Sequence, residues 1–237
     1  MNAIELTDPD RGISIFACPG RAAVVFDHGD VLASGRAEVA VELGEGGGSA
    51  ALALDGAKAE LELSPLSAPF EVAGELTGGA EMRLCQALGN LEGRAGDREI
   101  ACLAIASRST APASEQARIH RSIAVVLGDG GVLGLLAARA PGATGHGEEE
   151  VAATLLEPGG ETTSVEVLLS TEYDGEGRHR RANIELWRGA EPALRGAGTI
   201  VCGATLETRG PRIETAFFHW SLDGRPGLGR YEIVSTA

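Results

Sequence analysis

A chain of 237 residues, 43% of them hydrophobic, can fill the core of one large all-β domain or of two small ones, which excludes a disordered protein. Its 34 acidic and 20 basic side chains give a formal net charge of -14, a field that repels phosphate backbones and anionic lipid and excludes nucleic acid as a partner. No run approaches membrane-spanning length, and Met1 to Asp8 is acidic with no basic-then-apolar segment, so the expectation is a cytoplasmic protein with neither signal peptide nor membrane span.

Along the chain, apolar and polar residues alternate with period two, and Gly-rich turns break the alternation at short intervals. Val39-Ala40-Val41-Glu42-Leu43 stops at a Gly-rich loop starting at Gly44, and Ala51-Leu52-Ala53-Leu54 stops at Asp55-Gly56. Ala59-Glu60-Leu61-Glu62-Leu63 puts its leucines on one face and its glutamates on the other, the pattern of a half-buried antiparallel strand. Strands at Glu71, Glu81 and Glu99 continue the series. The pattern lapses from Ser107 to Gln116, a small, polar, Pro-containing stretch that predicts a linker, with a short helical turn from Pro112 to Arg118. The second half resumes with a hairpin from Ile123 to Leu136, a loop from Gly142 to Gly147, and strands ending near Leu156, Tyr173, Trp187 and Glu207. Loose similarity between the Cys85 and Cys202 strand pairs leaves an internal repeat open.

Signatures of known chemistry are scarce. The chain has no P-loop, no GxGxxG after a strand, no GxSxG elbow and no HExxH. Cys18, Cys85, Cys102 and Cys202 are far apart, which argues against a structural zinc or a CxxC redox pair and favours reduced thiols, with a Cys85–Cys102 bridge left open. No two of the five histidines stand at ligand spacing on one strand, so no metal is expected. Lys58 is the single lysine in an Ala- and Gly-rich chain, a bias that suggests a GC-rich bacterial genome. His28, in Asp27-His28-Gly29-Asp30, reads as a turn residue.

The final segment carries the most information. Phe217-Phe218-His219-Trp220 is an aromatic run that breaks at Asp223-Gly224, passes a Pro226-Gly227 turn and resumes at Tyr231-Glu232-Ile233-Val234. Alternation places Phe217 and His219 on one face and Phe218 and Trp220 on the other. Aromatics make up only 4% of the chain, so gathering them in one hairpin points to a lined pocket or a plugged barrel end. Trp187, Phe217, Phe218, Trp220 and Tyr231 are the candidate ligand contacts. His219, Glu232 and Glu172 are the candidate proton donors or acceptors, since a carboxyl in an apolar barrel has its pKa raised and can act as an acid.

The stretch Phe218-His219-Trp220-Ser221-Leu222-Asp223-Gly224-Arg225-Pro226-Gly227-Leu228-Gly229-Arg230-Tyr231-Glu232 resembles the terminal motif of the lipocalin-like hydroxyneurosporene synthase (carotenoid hydratase) superfamily. In that motif an aromatic residue, a strand, an acidic-Gly turn and a Gly-x-Gly-x-x-Glu return recur. The hairpin from Ile123 to Leu136 and the Tyr173-Asp174-Gly175 turn fit the upstream order, so the likeness spans residues 118 to 237. It implies an all-β, antiparallel fold of two lipocalin/calycin-like β-barrel halves in tandem, here residues 1–110 and 118–237. It also implies isoprenoid chemistry without redox cofactors. The first expectation is binding of an apolar small molecule, a lipid or isoprenoid, in a barrel cavity. The alternatives are a cofactor-independent hydratase, isomerase or cyclase acting on an isoprenoid or polyketide-like substrate, and a structural β-protein without ligand. Homo-oligomerisation is left open.

Overall fold

The computed structural model describes residues 2–235 except 9–11, 19–21, 36–37, 45–46, 55–56, 77–79, 111–116, 144–147, 191–192 and 207–210. Eighteen strands carry the fold, and no α-helix appears among the described residues. The first ten are β1 (Asn2–Asp8), β2 (Ile13–Cys18), β3 (Ala22–Asp27), β4 (Asp30–Gly35), β5 (Glu38–Gly44), β6 (Gly47–Leu54), β7 (Ala57–Pro65), β8 (Phe70–Leu76), β9 (Ala80–Ala95) and β10 (Arg98–Thr110). The remaining eight are β11 (Ile119–Leu127), β12 (Val132–Arg139), β13 (Glu149–Leu156), β14 (Thr162–Tyr173), β15 (His179–Trp187), β16 (Leu194–Leu206), β17 (Arg212–Leu222) and β18 (Arg225–Ser235).

Strands β1 to β10 form one antiparallel ten-stranded sheet in the order β4-β3-β2-β1-β10-β9-β7-β6-β5, with β8 also paired to β9. Strands β11 to β18 run as an up-and-down meander that closes where β18 returns to β11, from Ile119 opposite Ser235 to Leu127 opposite Gly227. Closure leaves no free edge in the second half. Ser107 to Thr110, expected in the linker, instead extend β10 and pair with Gln86 to Arg83, because the long β9 continues beside them and supplies backbone partners. The rest of that expected linker, 111–116, and His146 in the expected loop lie outside the described residues.

The barrel interior is packed with side chains. Ile123, Leu135, Leu155, Ile184, Phe218 and Trp220 belong to its main cluster, and each is almost fully buried. Burying side chains of this size is worth about 1.5–3 kcal/mol apiece. Strand β12 is buried at nearly every position, whereas β14 mostly alternates between partly buried and exposed. The difference follows from the second half's neighbours. Leu136 and Ala138 face outward from the barrel but pack on Val72, Met82 and Leu84 of the first sheet, and Ala124 and Val132 pack on Phe70, Leu88 and Ile105. A further outward cluster joins Phe217 and Cys202 to Phe16, Val24 and Phe26, with the Phe26 and Phe217 rings edge to face at 6.0 Å. At Gly134 a side chain would collide with Gln86, so glycine lets β9 approach β12 closely.

Asp223 and Gly224 both have positive φ, 51° and 82°, between the paired Leu222 and Arg225, which is the backbone of a type I′ two-residue hairpin turn. His28 and Gly29 form the corresponding turn between β3 and β4, with φ of 50° and 93°. Pro226-Gly227 is not a turn. It lies inside β18, where Pro226 pairs with Ser221 and its carbonyl accepts from the Gly128 N–H. Proline so near the start of a strand removes only one ladder donor, and the Asp223-Gly224 turn already reverses the chain. Cys85, Cys102 and Cys202 are free thiols, and burial pushes the Cys202 thiol up to about 11. No helix among the described residues is long and apolar enough to cross a membrane.

Candidate functional site: a cleft between the sheet and the barrel

The outer face of β17 and β18 lies against β1, β2 and β10 of the first sheet. There a cavity of about 440 Å³ opens, lined mainly by apolar groups such as Ile105, Ala124, Val126 and Phe217. Its size suits a lipid- or terpenoid-sized molecule. Glu5, Arg230 and Phe217 line its buried end, with Glu5 only 4% and Arg230 only 5% exposed. The exposed Leu103, at 37%, and exposed His219 line its open side.

The buried end holds a charged cluster that crosses between the halves. The Arg230 guanidinium donates to the Glu5 carboxylate in a very short contact, lies 3.1 Å from Glu232 Oε2, and stacks 4.3 Å above the Phe16 ring centroid. Cation–π contact and two carboxylates thus hold one guanidinium in place. Burial pushes the Glu5 carboxyl above its ordinary range and Glu232 adds to the rise, while Arg230 pulls the other way without cancelling it. Only one Glu5 oxygen is engaged; Oε1 is buried without a hydrogen-bond partner. A buried carboxyl with one free oxygen facing an apolar cavity is the arrangement expected of a proton donor.

A second polar cluster lies inside the barrel. The Tyr231 hydroxyl is 2.7 Å from Thr171 Oγ1, and Arg121 Nε is 3.2 Å from Glu149 Oε1. His179 Nε2 donates to the Tyr231 carbonyl at 3.1 Å, and its Nδ1 stands 3.4 Å from Glu214 Oε2. Its ring stacks on Phe218, centroids 5.5 Å apart, and meets Tyr231 edge to face at 4.7 Å. Burial pushes the Tyr231 hydroxyl up to about 12, so it stays protonated as a donor or acceptor within the core. A buried ion pair of this kind costs desolvation and is retained only with good hydrogen bonding around it.

The structure therefore divides the residues singled out in the sequence. Phe217 and His219 reach the cleft, and Glu232 touches its charged cluster through Arg230. Phe218, Trp220 and Tyr231 point into the packed barrel, as their alternation requires. Trp187 is half-buried on the strand opposite Glu166, next to the inward-facing Leu186. Glu172 is exposed, paired with Arg181 across β14 and β15. Sequence reasoning missed Glu5, Thr7 and Arg230. Glu5 and Thr7 look like ordinary outward positions of an alternating strand. The one available signal was an acidic residue between Ile4 and Leu6 with no charged neighbour on its own strand before Asp8.

An eight-stranded meander barrel packed on a second antiparallel sheet, with a cleft between them, defines a two-part lipocalin-like protein. Solved structures bear this out over the whole chain. A Nitrosomonas europaea protein assigned the name AttH superposes with a TM-score of 0.70 at 13% identity, covering 98% of this chain and 90% of that one. Kievitone hydratase of Nectria haematococca gives 0.64 at 10% identity, covering 99% and 87%. CghA gives 0.61 at 13% identity, covering 100% and 87%. The fold implied by the C-terminal hairpin motif is thus the fold of the chain. No family model and no curated protein matches the sequence.

Proposed function

We propose that the chain is an enzyme of the hydratase or cyclase kind, which takes an apolar, unsaturated molecule into the cleft and transfers a proton from Glu5. The observation that carries this reading is the Glu5 carboxyl: buried, raised above its ordinary range, held on one side by Arg230, and with its other oxygen unpartnered at the cavity. The whole-length likeness to kievitone hydratase supports the reaction class.

Protonated Glu5 gives its proton to one carbon of the substrate alkene, so a C–H bond forms as the π bond breaks and the adjacent carbon becomes cationic. Water adds to that carbon, or a second π bond of the substrate does. The proton released from the adding water, or from carbon in the cyclisation, returns to the Glu5 carboxylate. Arg230 compensates the carboxylate charge while the proton is away, and the apolar walls exclude bulk water from the cation. A positioned acid contributes about 10²–10⁴-fold to such a step.

The test incubates the protein with a panel of sesquiterpene and polyene alkenes in ¹⁸O-water and follows products by mass spectrometry. Wild type yields labelled alcohol or an isomeric cyclised product, and Glu5→Gln lowers the rate by about 100-fold or more while keeping affinity. A second reading, a carrier that binds without chemistry, is favoured by the apolar lining of the cavity. It gains if ligands bind and are recovered unchanged.

A further inference from the structure

We propose that Thr7 is a specificity-determining residue of the cleft, and that the molecule bound there is an apolar compound carrying a hydroxyl or carbonyl oxygen about 7 Å from the group that meets Glu5, rather than a bare hydrocarbon. The proposal rests on the cleft being the binding site.

Thr7 Oγ1 is a second buried oxygen without a hydrogen-bond partner, and Thr7, like Glu5, lines the cavity. The two stand at alternate positions of β1 and so face the same way, with Leu6 between them turned into the first sheet's own core. Two residues of extended strand separate their origins by about 7 Å. Along that line Glu5 pairs with Ile105, and Thr7 lies toward Leu103 at the more exposed side of the cleft. A buried hydroxyl left unpaired is destabilising, and buried polar groups in folded proteins are satisfied by protein, water or ligand. Nothing in the apolar wall offers Thr7 a partner, so the group that completes it comes from what occupies the cavity. A threonine hydroxyl donates to a carbonyl and both donates to and accepts from an alcohol. A ligand without oxygen would displace solvent from Oγ1 and leave it bare, which selects against hydrocarbons.

The experiment measures dissociation constants of farnesol and farnesene, which share a carbon skeleton and differ by the hydroxyl, for wild type, Thr7→Val and Thr7→Ser. Thr7→Val keeps the shape and removes the hydroxyl; Thr7→Ser keeps the hydroxyl. In wild type farnesol binds about three- to tenfold more tightly than farnesene, the increment of one net hydrogen bond. Thr7→Val brings the ratio to about one by weakening farnesol alone, and Thr7→Ser preserves it. Unchanged farnesene affinity shows that Thr7→Val is folded; if it is not, the wild-type and Thr7→Ser ratios decide. Equal affinities in wild type, or a preference that survives Thr7→Val, overturn the role of Thr7 while leaving the cleft as the binding site. Failure of both ligands to bind wild type removes the cleft reading, and this inference with it.

Discussion

Glu5→Gln reports which force governs the charged end of the cleft. Burial and Arg230 act on Glu5 in opposite directions, and burial prevails, so its pKa in the folded protein lies above the unfolded value. A carboxyl shifted this way contributes stability that is fully present below the unfolded pKa, about 4.3, and is lost as pH rises through the folded pKa. Glutamine has the shape of the neutral acid and no such dependence. At low pH the two proteins should therefore have similar stability. As pH rises, wild type should lose ground to Glu5→Gln by up to about 1.4 kcal/mol per pH unit, the limit for one proton, until the folded pKa is passed. The variant does not strand Arg230, because Glu232 remains 3.1 Å away. Asp27, Asp129 and Asp174 are held below the ordinary carboxylate range, chiefly by hydrogen bonds from Arg98, from Arg225 and from the Arg178 backbone respectively, and destabilise both proteins as pH falls. They cancel in the difference. Urea denaturation of both proteins between about pH 4 and pH 8 supplies the curve. A difference that is flat, or in which wild type gains on the variant as pH rises, would show that Arg230 outweighs burial and that Glu5 is no acid at neutral pH.

Two further substitutions separate the barrel from the cleft. Gly229→Ala places a methyl against Ala124 O and within 2.6 Å of Val125 Cα, backbone atoms of β11 that cannot swing aside. The β11–β18 seam must part, costing about 3–5 kcal/mol and lowering Tm by about 6–20 °C in calorimetry. Trp220→Ala empties part of the barrel core and should cost about 3–5 kcal/mol, with farnesol affinity within about twofold of wild type because Trp220 does not line the cleft.

Much of this architecture is legible in the sequence because strands report their environment locally. Asp223-Gly224 specifies a type I′ turn by residue type alone, and the alternation through Phe217, Phe218, His219 and Trp220 assigns each ring to its correct face. What alternation cannot say is what lies against the outward face. Phe217 and His219 share a face, yet Phe217 is covered by Phe16 and Phe26 while His219 is exposed, because the first sheet ends between them. The continuous burial of β12 has the same origin: a barrel interior on one side and a second sheet on the other. Glu5 is the extreme case. Its partner, Arg230, is at the opposite end of the chain, and the pair exists only once both halves have folded and docked. The aromatic concentration in the last hairpin marked the barrel core more than the cleft, since rings fill a closed barrel as readily as they line a pocket.

The location of the ligand tests the account most directly. A crystal structure of the protein soaked with farnesol should show the molecule between β1 and β18, its chain against Phe217 and Val126 and one end within hydrogen-bond reach of Glu5. Density inside the barrel against Trp220 and Tyr231, with the cleft holding only solvent, would contradict it.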